Sequence, residues 1–65
     1  MTPPPAPAIR VLIVDDHPTF RMGLAALVNS QPDMTVAAEF ESGERAVEAY
    51  EPGHYDVVLM DLRLP

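Results

Sequence analysis

The 65-residue chain contains no cysteine and no lysine, and its longest strictly apolar stretches are only a few residues. Without cysteine, neither a disulfide framework nor a thiolate zinc site can stabilise the fold. The basic side chains number four against ten acidic ones, which gives a net charge of −6. Nucleic-acid and anionic-membrane surfaces need clustered cations, so this balance argues against both kinds of surface.

Membrane insertion and export are also not indicated by the sequence. A span of the bilayer takes about 20 consecutive apolar residues, and export takes a basic region followed by an apolar one. Neither pattern is present. We therefore expect no membrane partner and a cytoplasmic location.

Proline is concentrated at the amino terminus, where residues 1–8 hold four of the eight prolines. Locked φ angles and missing amide donors predict an extended, solvated tail there. Residues 9–65 have the length of at most one small domain.

Three segments have strand patterns. Ile9–Val14 is almost entirely β-branched or Leu, which predicts a central parallel strand buried on both faces. Residues 34–40 alternate and predict an edge strand, with one side formed by Met34, Val36, Ala38 and Phe40. Residues 56–60 form a third strand, whose apolar run is typical of a strand covered on both faces.

Two segments between these strands have helical patterns. Pro18 suits the first position of a helix whose predicted buried stripe has the spacing i, i+3, i+4, i+7, i+8. The stripe residues are Phe20, Gly23, Leu24, Leu27 and Val28. Ser42 is placed to cap a second helix, which Pro52-Gly53 terminates. Its predicted packing residues are Ala46, Val47 and Tyr50.

The element order is therefore β-α-β-α-β. Right-handed crossovers, with the alternating strand outermost, give a parallel sheet in the order 2-1-3 with one helix on each face. The third strand then lies at an edge of the sheet, and an exposed apolar edge invites association with another copy.

Acidic residues follow two neighbouring strands of this sheet. Asp15 and Asp16 follow the first strand, and Asp61 follows the third. Parallel strands gather their carboxyl ends at one edge, where open α/β sheets bind ligands. Three acids there repel, unless a cation compensates them or some of their pKa values rise. We expect this cation to be Mg²⁺, because Mg²⁺ prefers carboxylate, carbonyl and water oxygens. The alternatives are a helix cap for the first pair and a turn role for Asp61.

The stretches VLIVDDHPTFRMGL and DVVLMDLRLP resemble the receiver domain of bacterial two-component response regulators, in particular the NarL/FixJ subgroup. The resemblance implies a flavodoxin-like α/β fold in which Asp61 accepts a phosphoryl group from a sensor histidine kinase. It implies that Asp15 and Asp16 hold Mg²⁺, together with Asp61 and the backbone carbonyl of Arg63. Such a domain controls transcription through a DNA-binding output domain and is not an enzyme acting on an outside substrate.

Receivers of this kind continue for two more strands and three more helices. Those parts carry a Ser or Thr, a Lys and an aromatic switch residue, and the subgroup adds a helix-turn-helix domain. None of these follows here, so residues 9–65 are interpreted as the amino-terminal half of a receiver. One alternative is a fragment that acts only as an interaction or dimerisation piece through the open third strand.

A second alternative is a Mg²⁺-dependent phosphatase of the haloacid dehalogenase type. That family places its general acid/base two residues after the nucleophile, where this chain has His17. We interpret His17 as structural, since an oxygen-rich site suits Mg²⁺. Arg21 is interpreted as a surface charge, and Asp56 as a solvated residue at the opposite edge of the sheet.

Overall fold

The computed structural model describes residues 8–61, in which strands and helices alternate as predicted. The elements are β1 (Ile9–Val14), α1 (Pro18–Asn29), β2 (Met34–Phe40), α2 (Gly43–Ala49) and β3 (Val57–Met60). The strands form one parallel sheet in the order β2-β1-β3, which confirms the predicted topology. The predicted tail, apart from Ala8, and Arg63 lie outside the described residues. No helix among residues 8–61 is long and apolar enough to cross a membrane.

The central strand β1 forms the core of the fold, because it pairs on both sides and is covered on both faces. Val11 and Ile13 pack with Val28 of α1 on one face. Leu12 and Val14 pack with Ala46 of α2 on the other. The prediction of a strand buried on both faces is confirmed for these four residues of β1.

The outer strand β2 changes face in its middle. The pairing of β1 with β2 shifts at Ala37, which is left over between the paired residues Val36 and Ala38. Met34 and Val36 pack against the α1 side of the core, whereas Ala38 and Phe40 pack against the α2 side. The prediction that these four residues share one side was therefore wrong. An extra residue in a strand reverses the alternation beyond it.

Helix α1 begins at Pro18 as predicted, but its apolar stripe is only partly buried. Val28 is buried and Leu24 is partly buried, whereas Phe20 and Leu27 are 54% and 62% exposed. The helix packs over β1 and β2 and makes no comparable contact with β3. A groove of about 470 Å³ lies between Phe20 and β3, so this part of the predicted stripe is uncovered.

Helix α2 begins as predicted and ends earlier. The Ser42 hydroxyl accepts a hydrogen bond from the Arg45 amide at 3.2 Å, which confirms the predicted cap. Ala46 is buried, but Val47 is 78% exposed, so its assignment to the core was wrong. The helix ends at Ala49, and the Tyr50 ring, which is itself half exposed, lies 5.6 Å from the ring of Tyr55.

Strand β3 is exposed along its whole length. Its residues, which are between 36% and 46% exposed, pair only with β1 within residues 8–61. The predicted burial on both faces is therefore not found in the described part of the chain. The pattern of four apolar residues predicted a strand correctly, but a pattern does not supply the neighbours that would cover it.

At the amino edge of the sheet, Asp56 and Arg10 join β3 to β1. The Arg10 guanidinium donates hydrogen bonds to both carboxylate oxygens of Asp56 at 3.2 Å and to the Gly53 carbonyl at 2.7 Å. The Arg10 amide also donates to Asp56 Oδ2 at 2.8 Å. The hydrogen bonds from Arg10 lower the pKa of the Asp56 carboxyl. The interpretation of Asp56 as merely solvated was therefore wrong.

Candidate functional site

The register of the sheet places the residues after β1 and β3 side by side at the carboxyl edge. Val14 pairs with Met60 as the last residues of the two strands. One step further, the Asp61 amide donates to the Val14 carbonyl at 3.1 Å, and the Asp15 amide donates to the Phe40 carbonyl at 3.0 Å. The backbone at positions 15 and 61 is thus fixed by hydrogen bonds that continue the sheet beyond its strands.

Asp15 is the buried acid of this edge, at 2% exposure. Its Oδ1 accepts a hydrogen bond from the His17 amide at 2.6 Å. Its Oδ2 is also buried and has no hydrogen-bond partner within residues 8–61. A buried carboxylate oxygen without a partner costs about 1–3 kcal/mol or more, so this oxygen is suited to accept a cation or a further donor.

Three side chains converge at this position. One oxygen of Asp15, one oxygen of Asp61 and one ring nitrogen of His17 lie within 4.8 Å of one another. Asp16 does not join this group, because its side chain is 67% exposed and its Oδ1 lies 2.7 Å from His17 Nδ1. Asp15, Asp16 and Asp61 nevertheless line the same pocket of about 230 Å³, together with Glu41.

The donor set fits a divalent cation. The carboxylates of Asp15 and Asp61 lie within 4.8 Å of each other and repel. The buried Oδ2 of Asp15 also has no hydrogen-bond partner within residues 8–61. Oxygen ligands of this kind suit Mg²⁺, which also keeps positions open for water and phosphate. The predicted ligand at the Arg63 carbonyl lies outside the described residues.

Arg21 supports the loop that carries these acids, a role that the sequence did not reveal. Its Nη1 donates to the Asp15 carbonyl at 2.7 Å, and its Nε lies 3.6 Å from Glu39 Oε1. The side chain is only 21% exposed, so the interpretation as a surface charge was wrong. The one signal in the sequence is a basic residue in the first turn of α1, close after two acids.

His17 was interpreted from sequence as a structural residue, and this stays a prediction. The structure places its ring beside Asp15 and Asp61. Its position directly after an acidic pair was visible in the sequence, whereas the direction of its ring depends on the extended backbone before α1.

Comparison with known proteins identifies one domain family. The profile of the family described as "Response regulator receiver domain" matches residues 11–65. The transcriptional regulatory protein DegU of Brevibacillus brevis is 42% identical over 57 residues, which are 88% of this chain and 24% of DegU. The nitrate/nitrite response regulator NarL of Escherichia coli K12 is 40% identical over 85% of this chain and 26% of NarL.

A third relative is the transcriptional regulatory protein LiaR of Bacillus subtilis. It is 48% identical over 54 residues, which are 83% of this chain and 26% of LiaR. The chain therefore spans about a quarter of the length of these relatives. No solved structure matches the chain.

Proposed function

Because the chain belongs to the response regulator receiver domain family, we propose that Asp61 accepts a phosphoryl group from a sensor histidine kinase. We further propose that Asp15 and Asp16 hold Mg²⁺ beside it, with Asp61 and the Arg63 carbonyl as additional ligands. The observation that carries the proposal is the buried Oδ2 of Asp15, which has no hydrogen-bond partner within residues 8–61 and whose carboxylate lies within 4.8 Å of that of Asp61.

In the proposed reaction, one oxygen of Asp61 attacks the phosphorus of the donor. A bond forms between that oxygen and phosphorus, and the phosphorus–nitrogen bond of the donor histidine breaks. The leaving nitrogen keeps the electron pair, and Asp61 becomes an acyl phosphate. Mg²⁺, when bound, supplies positive charge to the oxygens of the transferred group.

The other residues of the site act through position. Asp15 is fixed by the His17 amide and, at its carbonyl, by Arg21, so its carboxylate has little freedom to move away from Asp61. Such fixed placement lowers the cost of reorganisation during transfer. In this proposal the phosphoryl group is transferred to the chain itself, and the chain does not turn over an outside substrate.

The names of these relatives support a role of this domain in the control of transcription. DegU and LiaR are transcriptional regulatory proteins, and NarL is a response regulator for nitrate and nitrite. We propose that phosphorylation of this domain controls transcription through a DNA-binding output domain outside this chain. The proposed setting is the bacterial cytoplasm, where a sensor histidine kinase presents its phosphohistidine.

The test is phosphorylation by a small donor. The chain is incubated with Mg²⁺ and acetyl phosphate, and its intact mass is measured. We expect the mass of one phosphoryl group to be added in a form that survives acid and is removed by hydroxylamine, as an acyl phosphate is. Asp61→Asn should abolish the gain.

The matched control is Asp33→Asn. Asp33 is also exposed, but its carbonyl accepts a hydrogen bond from the Ile9 amide at the opposite end of β1. The control should therefore be phosphorylated like the parent chain. An adduct that persists in Asp61→Asn, or no adduct in the parent chain, contradicts the proposal.

A second candidate function is favoured by the exposure of β3. Its four residues are apolar, all are exposed, and within residues 8–61 only one edge of the strand is paired. An edge of this kind pairs readily with another strand, so the second proposed function is the formation of homo-oligomers through β3.

A further inference from the structure

The imidazole ring of His17 has no role in the proposed phosphoryl transfer. A ring nitrogen of His17 lies within 4.8 Å of carboxylate oxygens of both Asp15 and Asp61. Its Nδ1 is buried and lies 2.7 Å from Asp16 Oδ1 and 3.4 Å from Asp15 Oδ1. Within the described residues this nitrogen makes no hydrogen bond, and its two contacts are ion-pair contacts with carboxylates. A buried ring nitrogen surrounded by acids without such a bond is suited to a metal ion.

The backbone holds the His17 ring at this place. His17 precedes α1 in an extended conformation, with φ −102° and ψ 105°, and its side chain makes no capping hydrogen bond. Its amide donates to Asp15 Oδ1, and its carbonyl accepts a hydrogen bond from the Arg21 amide at 2.8 Å. The backbone of His17 is thus tied on both sides, and its ring is not used to cap the helix.

The ligand chemistry at this position differs from that of an all-oxygen site. Imidazole nitrogen suits borderline ions such as Zn²⁺, whereas Mg²⁺ prefers oxygen and binds nitrogen poorly. We propose that His17 is a metal ligand that selectively raises the affinity of the Asp15–Asp61 site for Zn²⁺-like ions over Mg²⁺. This inference rests on the proposed cation site, but it concerns which ion that site selects.

The test compares two ions in three forms of the chain. Dissociation constants for Zn²⁺ and for Mg²⁺ are measured by calorimetry for the parent chain, His17→Ala and His54→Ala. His54 is the matched control, because it lies in an exposed turn with its Nδ1 3.0 Å from Glu51. Removing His17 should weaken Zn²⁺ binding roughly tenfold or more and leave Mg²⁺ binding nearly unchanged. His54→Ala should change neither.

A direct measurement on the parent chain avoids dependence on the folding of a variant. Nitrogen-15 spectra of the imidazole rings are recorded during titration with Zn²⁺. We expect a ring nitrogen of His17 to shift as the first equivalent binds, and the ring nitrogens of His54 to stay in place.

Two results would overturn the inference. One is an equal loss of Zn²⁺ and Mg²⁺ affinity in His17→Ala, which is what a merely structural residue would give. The other is Zn²⁺ binding with no change at the His17 ring. Failure of the proposed function looks different, because Zn²⁺ binding through His17 without phosphorylation of Asp61 supports this inference and refutes that function.

Discussion

Replacing Asp15 by Asn tests whether the site is built for a cation. Without a divalent ion, the Asp15 and Asp61 carboxylates lie within 4.8 Å of each other, and the buried Asp15 Oδ2 has no hydrogen-bond partner in the part of the chain that the structure describes. At that separation, Coulomb repulsion costs about 0.9 kcal/mol at a dielectric constant of about 80 and about 3.5 kcal/mol at about 20. An amide removes this repulsion and places an N–H donor near Asp61.

The same substitution also has a cost. The His17 amide now donates to a neutral oxygen, and the loss of a charge-assisted bond offsets about 1 kcal/mol of the gain. Replacing the charged, buried Oδ2, which has no hydrogen-bond partner within residues 8–61, adds about 1–3 kcal/mol to the free energy of unfolding. We therefore expect Asp15→Asn to raise the free energy of unfolding of the ion-free chain by about 1–5 kcal/mol.

Added Mg²⁺ should narrow the difference in stability between the two proteins. At ten times its dissociation constant, a ligand of the native state adds about 1.4 kcal/mol to the free energy of unfolding. The parent chain should show this gain, and Asp15→Asn should show none. The assay is urea unfolding followed by circular dichroism, with chelator or with Mg²⁺, and with Asp33→Asn as the control. Two results would refute this expectation. One is a lower stability of ion-free Asp15→Asn than of the parent chain, and the other is a gain in stability of Asp15→Asn on addition of Mg²⁺.

Two further predictions concern the sheet outside the site. The lowered pKa of Asp56 means that its ion pair with Arg10 stabilises the fold above the ordinary carboxyl pKa of 3.8, and that this contribution is lost as pH falls through the lowered value. Asp56→Asn should therefore lower the urea midpoint at neutral pH, and the two midpoints should converge in acid; a constant difference at all pH values would contradict this. The open edge of β3 predicts dimers or larger species in sedimentation velocity that Leu59→Lys dissociates; a folded monomer at all concentrations would contradict this second candidate function.

The strand order and the carboxyl edge were predictable from sequence because both depend on strong local patterns. The apolar run of β1 indicates a central strand, and right-handed crossovers then leave one arrangement for its neighbours. Once that order is fixed, Asp15 and Asp61 must fall at one edge, since they directly follow two paired strands.

The faces of the outer elements were less predictable. Periodicity shows which residues share a side of an element, but it does not show whether another element covers that side. Phe20 and Val47 fit their helical stripes and are exposed, because no element within residues 8–61 covers them. The change of face in β2 depends on one extra residue at Ala37, which only the pairing with β1 reveals.

The polar contacts were missed because they join distant or differently directed residues. Arg10 and Asp56 are 46 positions apart, and nothing local marks them as a pair. Arg21 and His17 lie close to the acids in sequence, yet their roles depend on where the β1–α1 loop directs their side chains. Sequence spacing predicted the acids of the candidate site, and the structure shows which residues surround them.

The most direct test of the central claim is to locate the phosphoryl group within the chain. Trypsin cleaves after arginine, so residues 46–63 form one peptide that contains both Asp56 and Asp61. After reaction with acetyl phosphate and Mg²⁺, hydroxylamine converts the acyl phosphate to a hydroxamate that fragmentation can place. We expect modification at Asp61 that depends on Mg²⁺ and is absent at Asp56. Modification at Asp56, or at both residues regardless of Mg²⁺, would contradict it.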